Sequence, residues 1–165
     1  MKPNLQPRVG LLALTLELYE TLAPGLRASR EAWLQRDLLA ALRPHADVRF
    51  TGRVSDDELL GLYATSSVVI FPPADEDYGY IALEAFLSRK PVVTCTDSGG
   101  PLEFVVDGEN GRVVAPDAAL LGAAVADLLA DSEKAKRFGE RGFERVREIR
   151  WDSAVKALLE AGGIR

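Results

Sequence analysis

A chain of 165 residues with a formal net charge of -5 has room for one globular domain and lacks the basic surplus that nucleic acid requires. One cysteine, Cys95, and one histidine, His45, exclude an internal disulfide and leave no His/Cys cluster for zinc or haem. Hydrophobic content of 47% with 27% charged residues fits a soluble domain. No apolar run approaches the roughly 18 residues of a membrane span, and Met1-Lys2-Pro3-Asn4 opens without a signal-peptide stretch. The chain therefore reads as cytosolic.

Short apolar clusters alternate with longer amphipathic stretches, the pattern of an α/β domain. Residues 8–14 (RVGLLAL) predict a buried strand. From residue 17 to 42 a helical stripe runs through Leu18, Leu22, Leu26, Trp33, Leu34, Leu38 and Leu42, with a break at Pro24-Gly25. Residues 47–52 alternate around Val48 and Phe50 and predict a second strand. Ser55 followed by Glu58 is a capping box that opens a helix through Tyr63. The β-branched run 67–71 predicts a central parallel strand, stopped by Pro72-Pro73. A short helix over 79–88, a strand over 91–95, a helical turn over 101–106, a turn at Asp107-Gly108-Glu109-Asn110-Gly111 and a strand over 112–115 follow. Three helices over 117–130, 132–149 and 151–161 complete the chain. Five strands with helices on both faces give a three-layer, flavodoxin-like or Rossmann-like parallel sheet. Of the two common doubly wound orders, the strand count favours 2-1-3-4-5.

Ligands in such sheets bind beyond the carboxyl ends of the strands. Two loops fall there. Residues 72–78 lead into the helix that begins at Gly79, where the amides of Gly79, Tyr80 and Ile81 favour an anion. Glu84, one turn on, offers a carboxylate for the vicinal hydroxyls of a ribose, and Glu76 lies in the loop before. On residue types alone, Asp75-Glu76-Asp77 fits a solvated acidic loop more readily, and Glu84 fits an acid that supports the helix dipole. The second loop is Thr96-Asp97-Ser98-Gly99-Gly100. Its paired glycines allow close backbone approach to a phosphate or sugar, while Ser98 equally fits a helix N-cap. Cys95 fits the core and His45 a surface turn, which leaves no histidine for acid–base chemistry. The charges from Lys134 to Glu148 alternate in sign, as on a solvated helix.

Val48-Arg49-Phe50-Thr51-Gly52-Arg53-Val54, Leu59-Leu60-Gly61-Leu62-Tyr63-Ala64 and Val68-Val69-Ile70-Phe71-Pro72 resemble the family 4 retaining glycosyltransferases, in the donor-binding carboxyl-terminal half of their GT-B fold. The resemblance is tightest at Glu76-Asp77-Tyr78-Gly79-Tyr80-Ile81-Ala82-Leu83-Glu84-Ala85, which matches the family's pair of glutamates. It continues through Lys90-Pro91-Val92-Val93, Asp97-Ser98-Gly99-Gly100 and residues 103–111, and the ordered set is more specific than any one motif. The resemblance favours the ligand reading of both acids. It implies that Glu84 holds the donor ribose, that Glu76 lies near the donor sugar, that the amides at Gly79, Tyr80, Ile81, Gly99 and Gly100 approach the donor, and that Arg53 and Val54 lie near the base.

The same resemblance implies an acceptor domain, and an arginine and a lysine for the donor diphosphate, that nothing before Asp47 matches. Residues 8 to about 46 instead resemble, through Arg8–Leu14, Leu16–Glu20 and Ala23–Arg27, the first strand–helix unit of fucose/arabinose isomerase-like proteins. Replacing two strands of a 3-2-1-4-5-6 sheet by one foreign strand yields 2-1-3-4-5, so the expectation is a single-domain engineered chimera. Its foreign unit would span 1–46 and a truncated glycosyltransferase half 47–165, with only a vestigial donor site, no cofactor and no native activity. The alternatives are a glycosyltransferase fragment or subunit using a nucleotide-sugar, and a weak nucleotide-binding module.

Overall fold

The computed structural model describes residues 9–11, 32, 36–37, 51 and 54–162, without the side chains of 9–11, 151 and 154. Strands β1 (Val9–Leu11), β2 (Val68–Ile70), β3 (Val92–Cys95) and β4 (Gly111–Val114) form a parallel sheet in the order β1-β2-β3-β4. Val9 stands opposite Val68, Val69 opposite Val92, and Val92 opposite Gly111. These pairings run through the first, third, fourth and fifth of the expected strands. The expected second strand lies outside the described residues apart from Thr51, as does the 17–42 helix apart from 32 and 36–37. His45 and Arg53 also lie outside them.

Helix α1 (Asp56–Thr65) begins at the capping box: the Ser55 hydroxyl accepts the Glu58 amide and the Glu58 carboxylate accepts the Ser55 amide at 3.0 Å. Helices α2 (Tyr80–Leu87), α3 (Ala118–Ala130), α4 (Ser132–Val146) and α5 (Trp151–Ala161) follow. Asp117 and Asp131 cap α3 and α4 by accepting the amides of Leu120 and Lys134, which satisfies donors that the first helical turn leaves free.

β-Branched residues on β2 and β3 are buried on both faces, as a covered parallel sheet demands. Val68, Ile70, Val93 and Cys95 pack against Leu121, Val125 and Leu128 of α3. Val69, Phe71 and Val92 face the other way, onto Tyr63 of α1 and Ile81 and Phe86 of α2. Val68, Ile70, Val92 and Val93 are fully buried.

The helical turn expected over 101–106 is a shorter 3-10 turn, Gly100–Glu103. Buried Asn110 accounts for the difference. Its side chain accepts the Val106 amide at 2.8 Å and donates to the Phe104 carbonyl at 2.9 Å, drawing the chain out of helical pairing and into the turn before β4.

Candidate functional site

The carboxyl ends of β2 and β3 are clamped together by side chains that exclude water. The Thr94 hydroxyl lies 2.7 Å from the Phe71 carbonyl and 2.8 Å from the Ser98 hydroxyl. Ser98 accepts the Cys95 amide at 3.1 Å and donates to the Pro73 carbonyl at 3.0 Å. Thr94 and Ser98 are both fully buried. Ser98 is thus a staple between the two strand-end loops rather than a helix cap; Gly99 occupies the capping position of the 3-10 turn.

Beyond the staple the loops are joined backbone to backbone. The Asp75 amide donates to the Asp97 carbonyl at 2.9 Å, the Glu76 amide to Ser98 at 3.1 Å, and the Gly100 amide to the Glu76 carbonyl at 2.6 Å. Gly99 has φ +68°, and a Cβ there would lie 2.6 Å from the Glu76 oxygen; one at Gly100 would lie 2.5 Å from the Asp77 oxygen. The close approach that these glycines permit is made by the chain itself, at the segment carrying Glu76.

Gly79, at φ +82°, starts α2 where a Cβ would meet the Pro101 ring at 2.5 Å. Only glycine combines that left-handed conformation with that contact. The turn sets the start of α2, and a helix leaves its first amide donors, here at Tyr80 and Ile81, without partners inside the helix. Tyr78 packs against Tyr80 at 4.9 Å with the rings tilted by 56°, and edge-on against Phe104 at 5.1 Å, so aromatic rings adjoin the loop.

Two carboxylates flank the α2 start in different environments. Glu76 is half-buried, and burial followed by the neighbouring charge of Asp77 pushes its carboxyl above the ordinary range. Glu84 is exposed and accepts the hydroxyl of buried Tyr63 at 2.9 Å. Burial, then that bond and the charge of Glu84, push the Tyr63 phenol well above its usual value. The structure thus joins Glu76, Gly79, Gly99 and Gly100 in one cluster, with Tyr80, Ile81 and Glu84 on the helix that starts from it. Val54 stands half-buried at the start of α1. Among the described residues, no three His, Cys, Asp or Glu side chains are grouped to hold a metal ion.

Residues 30–145 match the family described as Glycosyl transferases group 1. The chain belongs to this glycosyltransferase family. It is 31% identical over 124 residues to a D-inositol 3-phosphate glycosyltransferase of Corynebacterium efficiens, covering 74% of this chain and 29% of the relative. Sucrose-phosphate synthase of Thermosynechococcus elongatus superimposes with TM-score 0.62 at 30% identity, over 82% of this chain and 33% of that one. The Anabaena protein Alr3699/HepE, solved in complex with UDP and glucose, superimposes with TM-score 0.67 at 19% identity, over 94% of this chain and 47% of that one. The chain therefore spans about three tenths of the curated relative, in agreement with the resemblance to one half of a GT-B enzyme.

The family match begins at residue 30, ahead of the junction expected at Ala46. The comparisons support the glycosyltransferase-domain reading, held as the alternative in sequence, over an engineered scaffold joined from two families. They give no support to the isomerase-like unit or to a loss of activity.

Proposed function

We propose that the chain is the donor-binding domain of a glycosyltransferase that uses a nucleotide-sugar, and that the loops beyond β2 and β3 hold the donor. The observation that carries this is the fusion of the Glu76 segment with Gly99-Gly100 at the start of α2, in the part of an α/β sheet where ligands bind. In this reading Glu84 accepts hydrogen bonds from the ribose hydroxyls. The Tyr80 and Ile81 amides approach the anionic end of the donor at the positive pole of α2. Glu76 lies near the sugar. Arg53 and Val54 lie on the side of the base. The complex of a fold neighbour with UDP and glucose supports this class of ligand. Transfer itself requires an acceptor site, which this reading assigns to a region outside the matched third of the relatives.

Ligand-observed NMR with UDP and GDP tests the reading. Binding by this chain alone is expected to be weak, in the millimolar range, because the residues read as the donor site, Glu84, Glu76 and the amides of Tyr80 and Ile81, include no cation for the diphosphate. Glu84→Ala should weaken it further, by about tenfold or more for the loss of charge-assisted hydrogen bonds. Binding indifferent to Glu84→Ala would refute the assignment.

A further inference from the structure

Tyr63 reaches the candidate site from the core through its hydroxyl bond to Glu84. It sits on the last turn of α1 with its ring in the core among Val69, Phe71, Ile81 and Phe86, only 6% exposed. Its hydroxyl emerges from that core to reach Glu84 Oε2 at 2.9 Å. Glu84 is otherwise exposed, and an exposed glutamate samples many rotamers, a freedom that binding would have to remove. A second tie fixes the same end of α1: the Lys90 ammonium, just beyond α2, donates to the Ala64 carbonyl at 3.1 Å. The Tyr63 ring is therefore a fixed post and Glu84 a movable arm fastened to it by one oxygen.

Resting on the donor-binding reading, we infer that Tyr63 is the positioning residue for ribose recognition: it holds one carboxylate oxygen of Glu84 so that the other faces the vicinal hydroxyls of the bound nucleotide. An ionised carboxylate only accepts, and it has lone pairs for several partners. With Oε2 engaged by a donor from the core, Oε1 remains for the ligand in a fixed direction. This preorganisation lowers the ordering cost of binding. The phenol proton is retained across the range in which binding is measured, since burial and Glu84 both push its loss to higher pH. The donor role is thus not interrupted by titration.

The test compares UDP with 2′,3′-dideoxy-UDP, and GDP with 2′,3′-dideoxy-GDP, by NMR titration of the original chain, Tyr63→Phe, Glu84→Ala and the double variant. Tyr63→Phe keeps the buried ring and removes only the oxygen. The original chain should prefer at least one ribonucleotide over its dideoxy counterpart. Tyr63→Phe should narrow that preference by about three- to tenfold, the cost of ordering one freed side chain on binding, and should add nothing in the Glu84→Ala background. An unchanged preference in Tyr63→Phe overturns the inference while leaving the donor-binding reading intact, as does an equal loss with and without Glu84. No preference in the original chain overturns the ribose reading itself, and this inference with it. If Tyr63→Phe fails to fold, the Tyr63 hydroxyl proton of the original chain serves instead. It should shift with the preferred ribonucleotide and not with the dideoxy form, and a proton indifferent to both would overturn the inference.

Discussion

Gly99→Ala separates two explanations of the glycine pair: room for a ligand, or room for the chain itself. At φ +68° with ψ -127°, a non-glycine residue occupies a sparsely populated backbone region, costing about 1–3 kcal/mol. The added Cβ also lies 2.6 Å from the Glu76 oxygen and 2.9 Å from its nitrogen, overpacking against backbone worth about 1–3 kcal/mol more. Moving the loop aside is no easier. It gives up the hydrogen bonds Asp75 to Asp97, Glu76 to Ser98 and Gly100 to Glu76, each about 0.5–1.5 kcal/mol. Either route costs at least about 1.5 kcal/mol. Urea unfolding without ligand should therefore show a clearly lower midpoint at an unchanged slope. An unaltered midpoint would refute the packing argument and return the glycines to a role toward ligand alone.

Ile70→Ala, at a position with no exposed surface, should lower stability by about 2–5 kcal/mol in the same assay; a loss under about 1 kcal/mol would contradict the core assignment. Asn110→Ala strips partners from the Val106 amide and the Phe104 carbonyl, each worth about 1–3 kcal/mol when buried, and should destabilise the chain without changing the sheet's circular-dichroism signature. Glu76 carries a raised carboxyl pKa from burial and from Asp77. The folded state therefore keeps that proton to higher pH than the unfolded one. This contribution is fully present below the unfolded value, near ~4.3, and is lost as pH rises through the raised folded value. Glu76→Gln should remove the loss, so its melting temperature should gain on the original chain as pH rises from the ordinary carboxylate range through the raised folded value; parallel profiles would contradict the shift.

Features set by local chemistry were legible in the sequence. The Ser55–Glu58 spacing defined the start of α1 because both partners of a capping box lie within one turn. The β-branched runs around Val68 and Val92 identified strands covered on both faces. The loops bearing Glu76 and Gly99-Gly100 were recognisable as strand-end loops, since strand and helix boundaries alone locate them. What escaped depended on partners distant in the chain. Ser98 looks like a helix cap until the Pro73 carbonyl is found beside it. Gly79 looks like a simple helix start until the Pro101 ring is seen to occupy the space of its missing side chain. Tyr63 and Glu84 stand 21 positions apart on different helices, and no spacing rule links them. The expected junction at Ala46 rested on the missing family motifs before Asp47 together with the isomerase-like resemblance of residues 8 to about 46. The family match reaches back to residue 30 and gives that junction no support.

The central claim is that a nucleotide occupies the region between the strand-end loops and the start of α2. Amide NMR of the original chain titrated with UDP and with GDP tests it most directly. The account predicts shifts concentrated at Gly79, Tyr80, Ile81, Gly99 and Gly100, and their loss in Glu84→Ala. Shifts centred instead on the Arg112, Asp127 and Lys134 cluster, or no shifts with either nucleotide at tens of times the expected millimolar dissociation constant, would contradict it.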